Sequence, residues 1–104
     1  MKLVTKEIAK LLPPLYTNED KPASEVKVPL KLFNPCGAGT WYISEMNPEE
    51  GLMFGWCLIH EAELGYVSLP ELESLRLPFG LKIERDLHWN PETTLAEVME
   101  GKKR

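Results

Sequence analysis

The chain has 104 residues, about one domain, near the size at which a single hydrophobic core becomes comfortable. Apolar residues make up 43% and charged residues 27%, which excludes a disordered chain. No run approaches the roughly 18 consecutive apolar residues that a membrane span requires.

Sixteen acidic residues against twelve basic ones leave a net charge of −4. That balance argues against nucleic acid as a direct partner, because phosphate binding is driven by clustered Lys and Arg. The one basic cluster is Lys102-Lys103-Arg104, and an acidic chain is better suited to basic protein surfaces. The N-terminus, MKLVTKEIAKLLPP, begins like a signal peptide, but Lys6, Glu7 and Lys10 break any apolar core. The expectation is a cytoplasmic protein with one globular domain over 1–104. Cys36 and Cys57 form no CxxC pair, so neither a zinc site nor a disulfide framework is expected.

In chain order, Thr5 is an N-cap for a helix with Ile8, Leu11 and Leu12 on one face, stopped by Pro13-Pro14. Residues 16–25 read as a polar loop. Val26, Val28, Leu30 and Leu32 alternate with Lys27, Pro29 and Lys31, which predicts a half-buried strand with one ladder bond missing at Pro29. After the turn at 34–39, residues 40–46 form a second strand. Strict alternation puts Trp41, Ile43 and Glu45 on one face and Tyr42, Ser44 and Met46 on the other.

The turn at 47–51 leads to the strand LMFGWCLIH at 52–60, apolar on both faces, which belongs inside a sheet. EAELG at 61–65 reads as a break before a further strand. Ser68 with Glu71 signals a capping box and a short helix carrying Leu69, Leu72 and Leu75. In FGLKIERDLHW, Phe79, Leu81, Ile83, Leu87 and Trp89 point one way, interrupted by Arg85, as in a strand or packed extended arm. Thr94 and Glu97 open a last helix with Leu95, Val98 and Met99 on its apolar side. Short turns force antiparallel neighbours, so the predicted class is α+β: a meander of four to five strands with short helices on one side.

Four stretches also carry a family likeness: KEIAKLLPPLY at 6–16, TWYISE at 40–45, ELGYVSLPELESL at 63–75 and GLKIERDLHW at 80–89. Over nearly its whole length the chain resembles the small proteins grouped as domain of unknown function 2958. The resemblance implies a small single-domain protein encoded on plasmids, integrative elements or phages. It implies no reaction and carries over no catalytic residue.

Glu84, Asp86 and His88 would share a strand face at steps of about 6.6–6.8 Å, a spacing open to metal-assisted hydrolysis. Lys82 in the same row weakens that reading, and alternation along a half-exposed strand produces such a charged face anyway. No metal and no cofactor is therefore expected.

Arg85 on an apolar face calls for a carboxylate partner, with Glu45 preferred and Glu63 second. If it is so paired, Arg85→Ala should cost roughly 3–5 kcal/mol. Glu61 and Glu63 read as turn residues that add acidic surface. Tyr42 and Tyr66 are candidate interface anchors. These residues point to a non-enzymatic, acidic protein-interaction module, with Tyr42, Glu45, Glu61, Glu63, Tyr66, Glu84, Arg85, Asp86 and His88 as its contact residues. The expected partner is a protein, in a nucleic-acid-handling defence complex of anti-CRISPR or anti-restriction type. The alternative is a small hydrolase using Glu84, Asp86 and His88.

Overall fold

Strands form where β-branched and aromatic residues concentrate. In the computed structural model, which describes residues 2–101, β1 (Leu30–Phe33), β2 (Thr40–Asn47), β3 (Leu52–Leu58) and β4 (Ala62–Ser68) form a meander. A short β5 (Glu84–Arg85) returns to the far edge, giving the order β4-β3-β2-β1-β5 with antiparallel neighbours throughout. Helices α1 (Lys6–Leu11), α2 (Leu69–Ser74) and α3 (Leu95–Met99) pack on this sheet, so the fold is small α+β, as the patterning predicts. None of the described helices is long and apolar enough to cross a membrane.

The caps form as their residue types require. Thr5, Ser68 and Thr94 accept N–H bonds from Ile8, Glu71 and Glu97, at 3.2, 3.3 and 3.2 Å. At Thr94 the box closes, with Glu97 Oε1 accepting the Thr94 N–H at 3.0 Å.

The helices lie on both faces, not one. Leu30, Leu32, Trp41, Ile43, Met53 and Leu72 form a first core cluster against which α1 residues pack. Val26, Val28, Tyr42, Leu95 and Val98 form a second, which brings α3 to the opposite face. Strand β2 explains the two layers: Trp41, Tyr42 and Ile43 are all buried in succession, so it needs cover on each side. Tyr42 is only 1% exposed and packs on Trp89 at 5.5 Å, with Lys31 Nζ 5.7 Å from its ring. It is a core residue and not an interface anchor.

The central strand pair carries one irregularity. In the β2–β3 ladder Ile43 pairs with Gly55 and Glu45 with Phe54, leaving Ser44 as an extra residue. This β-bulge shifts the alternation by one position. Glu45 leaves the face of Trp41 and Ile43 for that of Phe54, while Met46 takes the place beside Met53. Gly55 makes the close approach possible, since a Cβ there would meet Tyr42 O at 1.9 Å.

Three strand expectations change. Pro29 shortens β1, and residues 26–28 instead join the C-terminal segment through the Lys27–Thr94 bridge and Val28 N to Thr93 O at 2.8 Å. Strand β4 starts at Ala62, so Glu63 is a strand residue and only Glu61 belongs to the turn.

The segment 79–89 is not one strand. The turn at Pro78–Gly80 and an Asx turn, His88 N to Asp86 Oδ1 at 2.9 Å, break its extension. Phe79 is 97% exposed, Leu81 and Leu87 are exposed, and Ile83 is buried. Trp89 swings back to the second face, donating from Nε1 to Val28 O at 2.7 Å.

Candidate functional site

The second face is covered unevenly. Helix α3 seals the Tyr42 end, and beyond it a cleft of about 430 Å³ opens between α3, β3, β4 and the loop after α1. Phe54, Leu64 and Tyr66 supply the sheet wall, because residues paired across antiparallel strands share a face and Phe54 pairs with Tyr66. Their rings lie 5.0 Å apart and tilted by 58°. Met99 closes one side and the loop residues Tyr16, Asn18, Glu19 and Lys21 the other.

Glu45 forms part of the cleft lining and is only 4% exposed. The bulge brings it there, and Met46 N–H, donating to Pro13 O at 3.0 Å, draws the following loop across it. Its Oε1 accepts from Tyr16 N at 3.0 Å and its Oε2 from Asn18 N at 2.7 Å. Tyr16 is held in the left-handed region, φ +73°, at a steric cost of about 1 kcal/mol that the carboxylate clamp offsets. The ion pairs found among the described residues, Lys27–Glu92 and Lys31–Asp86, leave Glu45 out.

Above this lining the side chains of Tyr16 and Tyr66 share the mouth of the cleft. The Tyr66 pKa is raised, first by side-chain hydrogen bonding toward Tyr16, then by desolvation and then by the charges of Tyr16, Glu45 and Glu19. The neutral phenol is therefore favoured by folding. The contact stabilises the protein below the ordinary phenol value of about 10 and is lost as pH rises through the higher folded value. In a 295 nm absorbance titration Tyr66 should ionise after a free tyrosine, and Tyr16→Phe should move it back. A Tyr66 midpoint unchanged by Tyr16→Phe would contradict this.

Of the residues singled out from sequence, the structure brings Glu45 and Tyr66 together in this cleft, leaves Glu84, Arg85, Asp86 and His88 along a second recess by the β5 edge, and sets Tyr42, Glu61 and Glu63 apart from both. Glu61 is exposed in the β3–β4 turn, and Glu63 shares the opposite face with Cys57, whose thiol pKa is pushed up by burial and then by Glu63. Glu84 pairs with Phe33 in the sheet, Asp86 meets Lys31 at 3.5 Å, and His88 is exposed. Lys31 thus occupies the carboxylate that the hydrolase reading needs. Among the described residues no group of three or more His, Cys, Asp or Glu is placed to hold a metal ion.

Arg85 does not pair with Glu45, because the bulge sends Glu45 to the other side of the sheet. Arg85 aligns with Leu32 on the first face and donates from Nη1 to the carbonyls of Lys2 and, at 3.3 Å, Leu3. Arg85→Ala should cost about 1–2 kcal/mol, the scale of these carbonyl hydrogen bonds. A chemical denaturation curve checks this, and a loss above about 3 kcal/mol would restore the buried-pair reading.

Sequence reasoning missed Tyr16, Asn18, Phe54, Leu64 and Met99. An aromatic residue within the polar stretch after Pro13-Pro14 was the one local signal for Tyr16. Fold and cleft together define a small α+β protein with an aromatic-walled recess over a buried carboxylate. The chain belongs to the family described as Protein of unknown function (DUF2958), which matches residues 3–103. No curated protein and no solved structure matches it.

Proposed function

We propose that the chain is a non-enzymatic protein-interaction module whose contact surface is the Glu45 cleft. The carrying observation is the gathering of Tyr16, Tyr66 and Leu64, at 63, 52 and 43% exposure, around one open recess. Exposed tyrosines beside an apolar pocket are what an interface hot spot requires, because they bury large area at low entropy cost. A net charge of −4 adds steering toward a basic partner.

The finer proposal follows from the family setting of plasmids, integrative elements and phages. There the partner is a host complex that handles nucleic acid, as an anti-CRISPR or anti-restriction inhibitor engages one. Such a complex offers a basic surface to phosphates, and an acidic protein competes for it.

The test uses the tagged full chain and its Tyr66→Ala variant as bait in host lysate. The parent should retain one stoichiometric partner and the variant roughly tenfold less, at a temperature where both are folded. Equal capture by both, or none by the parent, contradicts the reading.

A further inference from the structure

We infer that the cleft takes a basic side chain, arginine foremost, presented by a partner protein. This rests on the proposed interaction function and names the chemistry of what enters. Glu45 carries the argument. A carboxylate 4% exposed is costly to bury, and here it is met by two backbone N–H groups and by neither of the ion pairs found among the described residues. Each carboxylate oxygen has a further acceptor position. A guest cation would supply the counter-charge that the fold withholds.

The walls suit the same guest. Tyr16 and Tyr66 offer aromatic faces, and a guanidinium is planar, weakly hydrated and stacks on such rings while bonding a carboxylate. Glu19 adds a second negative charge to the lining, so an anionic guest is disfavoured. A neutral apolar guest would deepen the desolvation of Glu45 without compensating it. Lys21 lines the same cleft and takes part in neither of those ion pairs, which makes it a resident competitor for an incoming cation.

The experiment titrates the isotopically labelled full chain with N-acetyl-arginine amide and with its neutral isostere N-acetyl-citrulline amide. Arginine should give saturable amide shifts at Tyr16, Asn18 and Tyr66 in the millimolar range, and citrulline should bind about tenfold more weakly. Lys21→Ala should tighten arginine binding roughly two- to fivefold. Glu45→Gln should erase the preference for arginine over citrulline. Equal response to the two probes, weaker binding by Lys21→Ala, or no shift in the cleft would overturn the inference.

The two readings fail separately. Tyr66-dependent capture of a partner without an arginine response rejects the charge inference alone. Arginine binding with capture indifferent to Tyr66 rejects the cleft as the contact surface.

Discussion

Gly55→Ala is expected to destabilise the protein by at least about 4 kcal/mol, the range reached only by severe steric or packing defects. The added Cβ would lie 1.9 Å from Tyr42 O and 2.9 Å from Ile43 Cα, both backbone atoms of the adjoining central strand. No side-chain rotation relieves such a contact. The strands must separate at the bulge, where both cores and the Glu45 clamp depend on their register. Gly65 is the internal control: it pairs directly with Gly55, yet a Cβ there meets nothing within 4 Å. Urea unfolding should therefore show Gly65→Ala close to the parent and Gly55→Ala largely unfolded. Similar curves for the two would contradict the bulge geometry.

Glu45→Ala should cost about 2–3 kcal/mol, set by opposing effects. Two charge-assisted hydrogen bonds to Tyr16 N and Asn18 N disappear, and each is worth about 1.5–3 kcal/mol. Against that, removing a buried carboxylate relieves its desolvation, and the freed amides can turn toward water. The bonds win, because Tyr16 also loses what holds it at φ +73°. Amide exchange at Tyr16 and Asn18 should accelerate in the variant far more than at the core amides of β2. An unchanged melt with both amides still protected would show that Glu45 does not clamp the loop.

What could be read from the sequence was local. Helix starts at Thr5, Ser68 and Thr94 depend on a side chain and an amide three residues apart, and all three were legible. The paired faces of the first half of β2 were legible too, since Trp41, Tyr42 and Ile43 obey simple alternation. Past Ile43 the reading failed for a non-local reason. The Ser44 bulge is bound up with Gly55 on the neighbouring strand, and a one-residue slip reverses every side chain beyond it. Glu45 was thus named as a contact residue but put on the wrong face, with the wrong partner in Arg85. Tyr16 could not be placed at all, because its conformation depends on a carboxylate 29 residues away. The 79–89 run misled by its regular alternation, which Phe79 and Gly80 break with φ values of +63° and +73°.

The recess over Glu45, and not the acidic residues beside β5, is the surface proposed to meet the partner. The most direct test puts a photo-crosslinking side chain at Leu64, on the cleft wall, or at His88, in the exposed turn after β5. Irradiation in the presence of the captured partner should give a covalent adduct from position 64 and none from position 88. Adduct from position 88 alone would move the interface to the Glu84–His88 surface and contradict the proposal.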